Sequence, residues 1–324
     1  MRSVLFLLLS FVLLAIFVYS ICVGSSNIGF QEFFAYMSGW PSSQTTILVI
    51  RDIRLPRSLA ALLTGSALGV SGALLQGMLR NPLASPFLLG ISSGAGVCVV
   101  IMFSLNVLFQ WIPLGAWFGA VFSALIVFYI AYDRSNISLE RLILSGVAVS
   151  SILGSIQAVF LLRSDDTRIQ NSLTWLSGTL AGRDWSDLSF TWLPIVVCLC
   201  SALLFAKQLN LALLDDDTSQ ILGLSLTKLR ISIGILATIL TACSVCIAGL
   251  VGFVGLVIPH IARLICGNNF MYVLPFSGIL GAIAVLTGDV IARVYLWELP
   301  VGIVTAIFGS PFFVYLLRKR LRQV

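Results

Sequence analysis

Residues 51–96 read RDIRLPRSLAALLTGSALGVSGALLQGMLRNPLASPFLLGISSGAG. Three arginines, Arg51, Arg54 and Arg57, open the stretch, with Pro56 among them. From Ser58 to Leu79 no charged residue follows, and a bilayer-crossing helix needs about 20 such mostly apolar residues. Gly65, Gly69, Gly72 and Gly77 recur along the run, and small residues of this kind let membrane helices approach closely. A Pro-broken passage, Arg80-Asn81-Pro82-Leu83-Ala84-Ser85-Pro86, leads into a second apolar run. A barrel strand would instead alternate apolar and polar residues over about 10 positions.

The whole chain follows this pattern. Of its 324 residues, 59% are hydrophobic and 10% charged, where a soluble domain carries about 25% charged residues. We read an all-α polytopic membrane protein with about ten spans: 4–23, 58–79, 88–105, 114–132, 142–162, 189–206, 230–248, 252–266, 272–292 and 300–317. Residues 1–324 form a single transmembrane domain, with no segment left for a soluble one. The run Val4 to Val23 is too long for a signal-peptide core and lacks a small-residue cleavage site, so it is the first span. The eighth span is short, and Gly249, Gly252 and Gly255 before Pro259 point to a broken or re-entrant entry.

An even number of spans puts both termini on one side. With the termini cytoplasmic, 12 of the 19 Lys and Arg residues fall inside: Arg2, Arg80, Arg134, Arg141, Lys207, Lys228, Arg230, Arg263, Arg318, Lys319, Arg320 and Arg322. The other seven, Arg51, Arg54, Arg57, Arg163, Arg168, Arg183 and Arg293, fall outside. Positive charge collects on the cytoplasmic side of membrane proteins, so termini-in is the expected topology. The formal charge of +6 lies at span ends, which gives no reason to expect nucleic acid as a partner. Three of the outer arginines crowd before one span. They serve either as lipid-headgroup anchors or as a site for a carboxylate-bearing partner, which guanidinium groups bind in two-pronged fashion. Arg293 faces the same side.

After the second span, two segments between spans are long. Residues 163–187 read as partly helical and interfacial. Residues 207–228, KQLNLALLDDDTSQILGLSLTK, form the longest inside loop. Their apolar positions suit two short helices, with Asp215, Asp216 and Asp217 capping the second and Gly223 ending it.

Catalytic chemistry is sparse. None of the three lysines follows a glycine, so the chain lacks a phosphate-binding P-loop, and any ATP and its Mg2+ belong to a separate ATPase chain. His260 is the one histidine and reads as a structural hydrogen-bonding group. The seven cysteines lie in or beside apolar runs and read as inert small hydrophobes. Neither a metal nor a cofactor site is expected, and the chain is not expected to be an enzyme. Asp289 is the one acid well inside an apolar run. Its expected partner is Arg293, four residues on along the helix. The rival reading makes Asp289 a proton relay in an ion-coupled secondary transporter.

Several short motifs stand in order along the chain: Arg54-Leu55-Pro56-Arg57, Gly72-Ala73-Leu74-Leu75-Gln76, Asn81-Pro82-Leu83-Ala84-Ser85-Pro86 with Leu89-Gly90 and Gly94-Ala95-Gly96, Trp175-Leu176-Ser177-Gly178, Gly252 to His260, and Glu298-Leu299-Pro300-Val301-Gly302. On these, almost end to end, the chain resembles the permease subunits of type II ABC importers for iron–siderophores, haem and vitamin B12. The resemblance implies a ten-span permease, paired with a second permease chain around a central pathway in the bacterial inner membrane. Two cytoplasmic ATPases would bind on one side and a periplasmic or lipoprotein substrate-binding protein on the other. Arg54, Arg57 and Arg293 match arginines that receive glutamates from the two lobes of that protein. Residues 209–226 match the coupling helices that sit in a cleft of each ATPase, which assigns Leu214, Asp215, Asp216, Asp217, Thr218 and Gly223 to that contact. The family often carries Gly at the position of Asp215 and Ala at that of Ser219. The fifth span and residues 81–96 would border the pathway. Gly182-Arg183-Asp184-Trp185 looks more like the iron–siderophore permeases than the B12 one.

Overall fold

The computed structural model of the chain describes residues 2–24, 29–39, 43–133 and 136–321. Its helices are α1 (Arg2–Cys22), α2 (Phe30–Met37), α3 (Gln44–Leu48), α4 (Leu55–Met78), α5 (Ile91–Ser104), α6 (Ile112–Ala131), α7 (Leu139–Leu162), α8 (Asp166–Leu176), α9 (Trp185–Leu204), α10 (Ala206–Ala212), α11 (Asp216–Ile221), α12 (Leu226–Ala248), α13 (Val254–Cys266), α14 (Phe270–Tyr295) and α15 (Val301–Leu321). One two-residue antiparallel pair, Tyr132–Asp133 with Asn136–Ile137, interrupts them. An α-helix stands at each apolar run read from the sequence. Seven helical stretches are long and apolar enough to cross a membrane, and α5, α13 and residues 301–314 are shorter apolar helices. The chain is an all-α polytopic membrane protein. Of the inner cations counted above, Arg134 and Arg322 lie outside the described residues.

Helix α4 is the axis of the packing. Helices α12, α13 and α14 lie against it, and most of its residues are buried. Its glycines explain why. A methyl group on Gly65 would overlap the Gly281 carbonyl of α14, one on Gly69 the Ser277 carbonyl, and one on Gly72 the Gly255 carbonyl of α13. Backbone thus packs directly on backbone, the close approach that small residues permit in membranes.

The entry to α4 departs from the sequence reading. The sequence reading puts the arginines just before a span that starts at Ser58. Instead the helix runs on from Gln44 through a π-helical turn, Val49–Arg54, into α4. Arg54 and Arg57 therefore project from a helix, with Pro56 in the first turn of α4, where its missing N–H costs no hydrogen bond that the turn needs.

The eighth apolar run is broken at its start, as its glycines suggest. Between α12 and α13 the chain is non-helical from Gly249 to Phe253, and Phe253 adopts a left-handed conformation (φ 64°). This break meets two other motifs. A methyl on Gly178 would clash with the Leu250 carbonyl, and one on Gly302 with the Ser177 carbonyl. The Gly302 amide also donates to the Gly178 carbonyl at 3.0 Å. Three motifs distant in sequence therefore form one backbone junction.

Candidate functional site

The arginines of the opening stretch gather at one end of α4. Arg57 is 8% exposed and donates through Nε and Nη2 to both oxygens of Asp289, at 2.9–3.1 Å. Asp289 is 1% exposed, and a buried polar group needs hydrogen-bonding partners of this kind to offset its lost water. Arg293, the partner expected from its i,i+4 spacing, stands farther off, at 3.8 Å from Asp289. Its Nη2 turns instead to the carbonyl and hydroxyl of Ser20. Arg54, 4% exposed, donates through Nη1 to the carbonyls of Ile21 and Cys22 at 2.8 and 2.9 Å.

These contacts have one electrostatic theme. Ser20, Ile21 and Cys22 are the last residues of α1, and α1 has no basic residue of its own in its last turn. The final carbonyls of a helix lack intrahelical donors and carry partial negative charge. Arg54 from the π-turn and Arg293 from α14 supply both the donors and the positive charge. Ser20 and Ser58 hydroxyls, 2.8 Å apart, add a second tie between α1 and α4. The cluster thus holds the ends of α1, α4 and α14 together. At its rim, Glu298 approaches Arg57 Nη1 at 3.7 Å, with its own side chain 63% exposed.

A second cluster lies at the other end of α4. Asp215 caps α11, accepting from the Thr218 amide at 3.0 Å and from its hydroxyl at 2.9 Å. These two hydrogen bonds hold the Asp215 carboxyl below its ordinary pKa. The helix ends at Gly223 (φ 85°), where the Gly223 amide reaches Gln220 and the Leu224 amide reaches Ser219, the paired closure of a glycine-ended helix. Asp216 is gripped from two sides, by Arg80 at 2.7 Å and by Arg230 at 3.0 Å. Burial pushes its pKa up, but the hydrogen bond and charge of Arg230, with those of Arg80, outweigh burial and hold it down. The buried Ser219 hydroxyl donates to the Leu211 carbonyl of α10 at 2.9 Å. The loop is therefore a braced unit, fixed through Arg80 to the turn that follows α4 and through Arg230 to α12. It presents Leu213, Leu214, Ile221 and Leu222 outward, with Ile221 85% exposed.

Between the clusters, Gln76 on α4 binds the passage that follows. Its amide donates to the Ala84 and Leu256 carbonyls at 3.2 and 3.0 Å, and its oxygen accepts from Arg263. Helix α7 leaves Ser151, Gly154 and Ser155 exposed, and the two hydroxyls are already spent on the α7 backbone.

Residues 12–319 match the model of the FecCD transport family. The chain belongs to the FecCD transport family. Among relatives of this FecCD protein is the Fe(3+)-citrate import system permease YfmD of Bacillus subtilis, 38% identical over 97% of this chain and 95% of the relative. The vitamin B12 import system permease BtuC of Klebsiella pneumoniae is also 38% identical, over 96% of this chain and 92% of the relative. A solved ABC transporter of metal-chelate type, in an inward-facing conformation, superposes with a TM-score of 0.89 at 30% identity, covering 98% of this chain and 99% of that one. The FecCD chain is thus a permease subunit of a type II ABC importer, a non-catalytic, multi-pass protein of the bacterial inner membrane.

All three predicted outer arginines come together in this permease, and the six loop residues fall on one short capped element. Arg80, Arg230, Gln76, Ser20 and Glu298 were assigned no part in either cluster from sequence. Arg80 had one available signal: it is a cation directly after an apolar run, opposite a loop with three aspartates. Among the described residues no group of three His, Cys, Asp or Glu side chains is placed to hold a metal ion.

Proposed function

We propose that this FecCD permease moves an iron(III)–siderophore complex from periplasm to cytoplasm, with ATP hydrolysed by a separate pair of ATPase chains. The iron citrate relatives, YfmD and the Fe(3+) dicitrate permease FecD of Escherichia coli, favour an organic ferric complex as cargo. Vitamin B12 and haem are the alternative cargoes, carried by the names of BtuC and of the hemin permease HmuU of Yersinia pestis.

One observation carries the mechanism: the two clusters sit at opposite ends of a single buried helix. Helix α4 has 24 residues, so it is about 36 Å long at 1.5 Å per residue. Arg57 lies in its first turn, and Arg80 follows its last. At the outer end, Arg54, Arg57 and Arg293 receive carboxylates from a periplasmic or lipoprotein substrate-binding protein. At the inner end, Leu214, Asp215, Asp216, Asp217, Thr218 and Gly223 form the element that seats in an ATPase. Ten spans and two cytoplasmic termini put these ends on opposite sides of the membrane. A second permease chain, identical or related, completes the pathway, with α7 and residues 81–96 along it. Hydroxyls already bonded to their own backbone make that wall a weak ligand, which suits release rather than retention of cargo.

The cargo is tested by uptake into cells carrying the complete transporter, with labelled ferric siderophores, haem and vitamin B12 offered in parallel. Uptake of a ferric siderophore that stops when this gene is deleted supports the assignment. Uptake of B12 or haem alone moves it to the alternative.

A further inference from the structure

Three guanidinium groups, Arg54, Arg57 and Arg293, share the outer cluster with two carboxylates, Asp289 and Glu298. The two acids are placed very differently. Asp289 is buried and takes one edge of Arg57, through Nε and Nη2, in hydrogen bonds. Glu298 faces the remaining edge, Nη1, from 3.7 Å, too far for a hydrogen bond, and its side chain is 63% exposed. Arg57 therefore has one face locked and one face held loosely by a carboxylate that solvent can replace.

The backbone that carries Glu298 is unusual. Trp297 and Glu298 both adopt left-handed conformations, with φ of 49° and 60°, which residues with a Cβ avoid unless something holds them. Trp297 is 97% exposed, so packing of its ring is not the restraint. The Glu298 amide donates to the Ala292 carbonyl of α14 at 3.0 Å, and its carboxylate points to Arg57. Just beyond, Pro300 leads into α15, and the Gly302 amide is tied to Gly178 at the backbone junction. The loop between α14 and α15 thus links the arginine cluster to that junction.

We propose that Glu298 is a resident stand-in for the docking carboxylate: it occupies the open face of Arg57 until a glutamate or aspartate of the binding protein displaces it. This rests on the docking reading above. Docking then exchanges one carboxylate for another on Arg57 and frees the 296–299 loop from its tether. The loop is the first segment to sense that a partner has arrived, and α15 begins directly after it.

The test uses the full permease assembled with its ATPase in nanodiscs, and as probes the purified substrate-binding proteins of this importer class from the same genome. Glu298→Gln keeps the shape and removes the charge. The pair is long and its acid is exposed, so removing the competitor tightens docking by a small factor, about 1.4- to fivefold. The gain shrinks at high salt and vanishes in an Arg57→Gln background. Without any binding protein, Glu298→Gln also speeds hydrogen–deuterium exchange of the 296–299 amides. Wild-type docking with an E298Q affinity that is unchanged or weaker overturns this proposal and leaves the docking reading standing. If no binding protein docks to either form, the docking reading falls, and the competition with it.

Discussion

Replacing Asp289 by Asn separates a structural from a proton-carrying role. The substitution keeps the volume of the side chain, so it opens no cavity. It removes the charge that faces Arg57 at 2.9–3.1 Å and Arg293 at 3.8 Å, and the new amide group turns donors toward donors. Removing one partner of a buried ion pair destabilises a protein by about 3–5 kcal/mol, because the other charge stays buried and uncompensated. For a chain of this size that corresponds to a fall of about 4–7 °C in unfolding midpoint. The assay is scanning fluorimetry on detergent-purified protein, with size-exclusion profiles to confirm a folded starting state. Asp289→Asn combined with Arg57→Gln recovers part of the loss, since two neutral amides can pair; contacting residues of this kind are non-additive. A D289N protein with an unchanged midpoint refutes the reasoning. Unchanged stability together with abolished transport would instead point to the proton relay.

Further expectations follow from the same geometry. Gly72→Val drives a branched side chain into the Gly255 carbonyl. It should abolish folded protein on size exclusion, whereas Gly154→Val on exposed α7, where a Cβ meets nothing, should leave folding intact. Asp216→Asn releases Arg80 and Arg230 together, and should uncouple ATP hydrolysis from transport while the midpoint falls by less than for D289N, because Asp216 is 44% exposed. Asp215 and Asp216 both titrate below an ordinary carboxyl in the folded state. Their contribution is complete above the unfolded value of about 3.9 and is lost as pH falls through the lower folded values. Loop protection in hydrogen exchange should therefore hold at neutral pH and fail only in acid. Ile221→Asp places a charge on the most exposed apolar residue of the loop and should weaken ATPase association at least tenfold in pull-down titrations, with no change in midpoint.

Much of the architecture was legible because hydrophobic length alone marks a membrane helix. The glycines of α4 were legible for the same reason, since only one structural use fits them in that setting. The cap at Asp215 and the stop at Gly223 follow local rules that span a few residues. What sequence concealed is long-range pairing. Asp289 has a cation four residues away and another 232 residues away, and the distant one, Arg57, makes the closer contact. Spacing along one helix says nothing of which neighbouring helix arrives with a better-aimed side chain. Likewise the helical run-in from Gln44 was hidden behind charges and a proline that read as a loop. The π-turn there rotates Arg54 onto the end of α1, an outcome set by packing and not by local propensity.

The proposed function requires that this chain transport only as part of an ATP-driven assembly. The most direct measurement is uptake of labelled ferric siderophore into proteoliposomes holding the permease, with and without its ATPase and binding protein. Uptake that requires ATP and both partners, and that a proton gradient cannot replace, is the predicted result. Uptake by the permease alone, driven by a proton gradient and lost in D289N, would contradict it.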